Sequence, residues 1–163
     1  MAFALLALAL PSLVTGLGQY QLLLKVGLSG TGLGLYLVHL MPVVAYMLLI
    51  LASPYRSFDE RWRATANALQ ASPWRFLTCV KWPLLKPQIL AALAIGFAVS
   101  FGQYVPAQLA AAGRYSTIPM EAVTLTSGAN RPLTAAFALL LGLGPVLAFI
   151  AASYFSRPRW SRA

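Results

Sequence analysis

The sequence has very little charge and few residues that could carry chemistry. Only 9% of its 163 residues are charged and 60% are hydrophobic, whereas about a quarter of an average soluble domain is charged. A soluble domain could not bury so much apolar surface, so a soluble enzyme is excluded. With three acidic residues, one histidine and one cysteine, we expect no catalytic residue, no metal site, no cofactor and no internal disulfide.

The few charges leave four long runs without any charge, at 1–24, 26–55, 87–113 and 132–156. Each run exceeds the ~20 apolar residues that a helix needs to cross a bilayer. No strand-like alternation is evident, so a membrane β-barrel is not expected. The sequence predicts an all-α, polytopic helical membrane protein with about four transmembrane helices, at approximately 1–15, 34–52, 88–105 and 133–155.

The first of these segments begins at Met1 and is apolar from Ala2 to Leu10. A secretory signal peptide is the alternative interpretation, but no Lys or Arg follows Met1 to form its basic n-region. Because the chain starts within an apolar stretch, we expect it to be an N-terminally incomplete piece of a longer membrane protein.

The net charge of +9 is distributed unevenly along the chain. Nucleic-acid binding would need a clustered basic face, which the sequence lacks. Instead, nine of the twelve basic residues lie in the loop 56–87 and the C-terminal tail. Under the positive-inside rule these two regions are cytoplasmic, and the loop 106–132 is external.

The loop 56–87 carries two sets of helix-capping residues. Ser57 and Glu60 have the spacing of a capping box, and Ser72 followed by Pro73 is typical of a second helix start. The sequence therefore predicts a cytoplasmic helical hairpin with one helix over 58–69, a break at 70–72 and a second helix over 73–81. Pro83 and Pro87 are expected to end or bend this second helix before the third span.

Two interpretations of this hairpin remain open on physical grounds. It could dock on a partner protein, or it could lie on lipid headgroups as an interfacial helix. Its basic residues, together with Trp62, Trp74 and Trp82, suit the second interpretation.

Residues 64–83 resemble the signature loop of permease subunits of binding-protein-dependent ABC importers. That family's pattern is Glu-Ala-Ala, three residues, Gly, nine residues, Ile, one residue and Leu-Pro. Here Ala64 begins the pattern, Gln70 takes the glycine position, and Val80 and Pro83 close it with the same spacing. The resemblance covers roughly residues 28–157 and is nearest to permeases of the thiamine, ferric-iron and polyamine type.

The resemblance implies a function and a set of partners. The chain would be a membrane-spanning subunit of an importer in the bacterial inner membrane, forming part of the translocation pathway. Its partners would be a cytoplasmic ABC ATPase, a second permease half, an extracytoplasmic substrate-binding protein and the lipid bilayer. ATP would be hydrolysed on the separate ATPase, so the chain would not itself be an enzyme.

The resemblance also implies that the hairpin is the coupling helix that docks on the ATPase. The sequence departs from the family pattern at two points, where Ala64 replaces the glutamate and Gln70 replaces the glycine. Since the family's glycine allows a sharp turn between the two helices, we expect a positive φ at Gln70, which strains a residue other than glycine. An unusual ATPase, weak coupling beside a normal partner half, and decay of the sequence would each account for these changes. The residues assigned to the coupling loop are Ala64, Thr65, Ala66, Leu69, Gln70, Ala71, Ser72, Pro73, Trp74 and Arg75.

Two further features lie within the spans. Ala92, Gly96 and Ser100 recur every four residues and form a face on which another helix can approach closely, either within the subunit or at the seam with a second permease half. His39 is expected to pack or to bond across helices, and handling of substrate or protons is the alternative. A small membrane scaffold or assembly protein without transport activity is the alternative function.

Overall fold

The computed structural model describes residues 11–128 and 131–156, and within these ranges it contains helices and no β-strand. The fold is therefore all-α, as the sequence predicts. In chain order the helices are α1 Ser12–Lys25, α2 Gly32–Arg56, α3 Arg61–Ala68, α4 Pro73–Phe76, a π-helical turn Leu77–Lys81, α5 Trp82–Phe101, α6 Val105–Ala111, α7 Ile118–Thr126 and α8 Arg131–Ser156.

Three stretches of the described residues are long and apolar enough to cross a membrane. They are Gly32–Arg56, Pro73–Phe101 and Arg131–Ser156. The chain is thus polytopic, as expected. The first predicted span, 1–15, lies outside the described residues except for 11–15, and residues 12–15 begin α1.

The helix that contains the third predicted span, 88–105, has other ends than that span. It begins at Pro73, the predicted start of the hairpin's second helix, and ends at Phe101, so the two predicted elements form one continuous helical stretch. Where the membrane begins along this stretch stays a prediction. Pro83 and Pro87 do not end the helical stretch. Pro83, which has no N–H to donate to a helical carbonyl, lies in the first turn of α5, directly after the π-helical turn.

The segment 106–132 is also not a simple loop. It contains α6 and α7, and α6 packs against α1 and α2 while α7 packs against α8. Gly30 N donates to Ala110 O at 2.9 Å, which holds the turn between α1 and α2 against α6. The side of the membrane on which this segment lies stays a prediction.

The small buried core lies where these short helices meet the first long one. One cluster joins Leu23, Val38 and Ala110, from α1, α2 and α6. A second joins residues of α6 and α7, namely Ala107, Ala111 and Met120. Elsewhere the long helices expose most of their apolar side chains, as expected for surfaces that face lipid or other subunits.

Helix α5 is the centre of the bundle, with α2 and α8 packed against it. Glycines allow both contacts. A Cβ on Gly144 would lie 2.7 Å from a ring carbon of Phe101, and one on Gly96 would lie 3.1 Å from Val43. Close helix approach at small residues is the usual way in which membrane helices associate.

Candidate functional site

The hairpin between α2 and α5 is present, but its first helix begins later than predicted. α3 starts at Arg61, whose backbone N donates to Asp59 Oδ1 at 2.9 Å. The predicted capping box is wrong, because Ser57 Oγ instead donates to Ser53 O at the end of α2. That long helix runs on to Arg56, so Ser57 closes it and does not begin the next one.

The turn that follows α3 is a left-handed cap formed by Gln70. Gln70 has φ 53°, its N–H donates to Asn67 O at 2.9 Å, and the N–H of Ala71 donates to Ala66 O at 2.9 Å. These two bonds are those of a Schellman motif, in which glycine is the usual left-handed residue. The predicted positive φ at the position of the family's glycine is thus confirmed.

The second helix of the hairpin begins as predicted. Ser72 Oγ accepts a hydrogen bond from Arg75 N at 3.3 Å, and Pro73 occupies the first turn, where its missing N–H has no helical partner to lose. Between residues 69 and 72 the chain reverses without a regular element. The predicted break at 70–72 is therefore confirmed.

The residues assigned to this loop are not equally accessible. Leu69 and Trp74, on either side of the turn, keep 76% and 69% of their surface exposed. Ala66 is only 7% exposed and helps to line a groove of about 480 Å³ inside the hairpin. It therefore belongs to the hairpin's interior. The exposed members are Ala64, Thr65, Leu69, Gln70, Ser72, Pro73, Trp74 and Arg75, and Ala71 is partly buried.

A cluster of cations and aromatic rings, which the sequence analysis missed, ties the hairpin to the end of α2. Lys81 Nζ lies 4.7 Å from the ring centroid of Tyr55 and 5.4 Å from that of Phe58. Phe58 in turn packs edge-on against Phe76, with centroids 6.2 Å apart. Cation–aromatic contacts of this kind contribute about 0.5–1 kcal/mol each at exposed sites. The spacing of Tyr55 and Phe58 around a helix end is the only sequence feature that could have indicated the cluster.

The small-residue face of α5 packs within this chain. Ala92 is fully buried, and a Cβ on Gly96 would meet Val43 and Met47 of α2. Ser100 Oγ lies 3.1 Å from His39 Nδ1, so the expected bond of His39 across helices is present. A seam with a second permease half is not needed to account for these contacts.

Among the described residues, no group of three or more His, Cys, Asp or Glu side chains is placed to hold a metal ion. The ionisable residues of the hairpin form one weak ion pair, Arg63 to Glu60 at 3.9 Å, with both side chains exposed.

The sequence model of the family described as "Binding-protein-dependent transport system inner membrane component" matches residues 1–160. The chain belongs to this family. The resemblance stated above is thus confirmed, and with it the assignment to a multi-pass inner-membrane protein of transport systems.

Several curated relatives are permease proteins. The chain is 38% identical over 144 residues to the inner membrane ABC transporter permease protein YnjC of Escherichia coli K12, covering 88% of this chain and 28% of the relative. It is 27% identical over 153 residues to the putrescine transport system permease protein PotI of the same strain, covering 88% of this chain and 54% of the relative. With the thiamine transport system permease protein ThiP of Haemophilus influenzae it shares 25% identity over 114 residues, 69% of this chain and 21% of the relative.

The chain thus spans about half of PotI's length and less than a third of YnjC's. No solved structure matches the chain significantly.

One prediction arises from the geometry of the turn. Replacing Gln70 by Gly should stabilise the hairpin by about 1 kcal/mol, because a left-handed backbone strains any residue with a Cβ. The exposed Gln70 side chain makes no hydrogen bond among the described residues, so little is lost with it. Chemical unfolding in mixed micelles measures the change. Gln108→Gly, at an exposed position within α6, is the matched control and should destabilise. Equal effects of the two substitutions would contradict the strain argument.

Proposed function

We propose that the chain forms part of the membrane-spanning translocation subunit of an ABC importer, and that residues 64–75 dock on a separate cytoplasmic ATPase. The observation that carries the proposal is a capped, exposed hairpin whose left-handed residue occupies the glycine position of the family pattern. The residues 1–163 would act as one transmembrane unit.

The exposure of the hairpin supports docking. Large apolar side chains on both sides of the turn, Leu69 and Trp74, are left uncovered by the rest of the described chain. Large apolar side chains that a folded hairpin leaves exposed are available to a protein–protein contact. The cation–aromatic cluster around Lys81 then links the hairpin to α2, so force applied at the turn would reach two long helices.

The other partners follow from the family and from the exposed surface. Helix α8 has no buried residue, so it would face lipid or a second permease half, in the same chain or another. Helices α6 and α7, on the opposite side of the proposed membrane, would face a substrate-binding protein. The curated relatives are named for different substrates, so none of those substrates is assigned to this chain.

The proposed function is tested by co-expression of the chain with the ATPase and the other permease half. We expect the three to purify together and to couple ATP hydrolysis to uptake in proteoliposomes. A stable membrane protein that never associates with an ATPase would instead favour a scaffold without transport activity.

The proposed orientation makes a separate prediction. Single cysteines at positions 61, 114 and 159, in a chain with Cys79 removed, should react differently with an impermeant thiol reagent in intact cells. Because the basic residues favour the cytoplasm, we expect labelling at 114 alone. Labelling at 61 and 159 but not at 114 would show that the chain has the opposite orientation to the one proposed.

A further inference from the structure

A cavity of about 360 Å³ lies among α1, α2 and the junction of α5 with α6. It is distant in sequence from the hairpin and shares no lining residue with the groove there. Concave sites that combine apolar walls with a few polar groups are the usual form of a small-molecule site.

Two glutamines line this cavity, and each has one amide atom without a partner. Gln103 Nε2 donates to Val38 O at 3.2 Å, and Gln19 Nε2 lies 2.9 Å from the sulfur of Met41. A carbonyl and a thioether can only accept hydrogen bonds, so the atom of each amide that contacts them is the nitrogen. The oxygen of each amide is left for another partner. Both Oε1 atoms are buried and have no hydrogen-bond partner among the described residues. Two buried acceptors thus lack a donor.

The other polar and aromatic lining residues also suit a donor that carries positive charge. Tyr46 and Tyr104 supply aromatic rings, whose faces attract cations, and Ser12 and Thr15 supply hydroxyl oxygens. The lining includes no Lys, Arg or His, although the chain carries a net charge of +9. An anion entering here would find no cationic side chain, whereas an ammonium group would find amide and hydroxyl acceptors and two tyrosines in the lining.

We infer that this cavity binds the primary ammonium group of a small molecule on the translocation path. The inference rests on the proposed transport function for its biological role, but the binding itself needs no ATPase. No carboxylate lines the cavity, so the two amide oxygens and the tyrosine rings would hold the ammonium group without a full counter-charge. Binding would therefore be weak enough for release, as passage through a membrane requires.

The test measures binding to the purified chain in lipid nanodiscs. Butylammonium, butanol and butyrate serve as probes of equal length and different charge, and the thermal unfolding midpoint reports binding. We expect a saturable rise with butylammonium, a smaller one with butanol and none with butyrate. Equal responses to butylammonium and butanol, or none to butylammonium, would mean a water-filled cavity only and would overturn the inference.

Substitutions at the two glutamines sharpen the test. Gln19→Leu and Gln103→Leu should each weaken butylammonium binding about tenfold, because a charged hydrogen bond is lost. Gln103→Glu should strengthen it about tenfold and make it dependent on salt, because a carboxylate adds the missing counter-charge. This gain cannot come from misfolding, and a failure to strengthen would count against the inference.

The matched control is Gln108→Leu, which changes an exposed glutamine of α6 outside the cavity and should leave binding unchanged. Loss of ATPase association with intact butylammonium binding would contradict only the proposed coupling. The reverse result would contradict only the ammonium site.

Discussion

Replacing Trp74 by Ala is expected to weaken association with the proposed ATPase partner about thirtyfold. Trp74 is 69% exposed at the start of the hairpin's second helix, so its ring is available to a partner. Removal of a buried interface tryptophan typically costs at least about 2 kcal/mol, and 1.4 kcal/mol corresponds to a factor of ten in Kd. Titration of labelled ATPase against the permease in nanodiscs measures the change.

Trp82→Ala is the matched control for this experiment. Trp82 is also exposed, at 50%, but it lies in the first turn of α5, outside residues 64–75. We expect its substitution to change ATPase binding less than twofold, which is the small effect usual at surface positions. If Trp74→Ala binds the ATPase like the parent but detaches the hairpin from lipid, as reported by tryptophan-quenching lipids, the interfacial interpretation would replace docking.

Replacing Gly34 by Ala is expected to destabilise the protein by about 3 kcal/mol. Gly34 is buried in the first turn of α2, and a Cβ there would clash with the carbonyl oxygen of Leu28. That carbonyl cannot move easily, because it accepts from Thr31 Oγ1 at 2.7 Å and from Thr31 N at 3.3 Å. Overpacking against fixed backbone has an effect of this size.

The measurement is again chemical unfolding in mixed micelles, and Gly142→Ala is the matched control. Gly142 lies within α8, and nothing would come within 4 Å of a Cβ there. Its substitution should stabilise by about 0.5–1 kcal/mol, because alanine restricts the unfolded chain. Similar effects at the two glycines would refute the clash between Gly34 and Leu28.

The features that the sequence predicted well depend on local backbone chemistry or on long apolar runs. Uncharged stretches of more than ~20 residues predicted the long helices, and Ser72 followed by Pro73 predicted the start of a helix. The positive φ of Gln70 followed from one position in the family pattern. Each of these inferences uses residues that lie close together in the chain.

The predictions that failed concern structure that is set by residues distant in sequence or by two interactions that compete for the same group. The hydroxyl of Ser57 could cap the start of the next helix or bond back to α2. Because α2 extends to Arg56, the hydroxyl donates to Ser53 O instead. Pro83 marks the end of a helix by propensity, but it lies in the first turn of α5, directly after the π-helical turn. The polar cavity joins Gln19 with Gln103, which are far apart in sequence, and no periodicity connects them.

The π-helical turn Leu77–Lys81 also bears on how the hairpin is oriented relative to α5. A π turn holds one residue more than an α turn, and each residue of an α-helix advances the chain by about 100° around its axis. Deleting any one of these five residues would restore α geometry and leave the hairpin facing nearly the same way relative to α5, because a π turn and an α turn each complete one revolution. The extra residue is thus absorbed within the turn, and a homologue without it would still present Trp74 on the same side of α5.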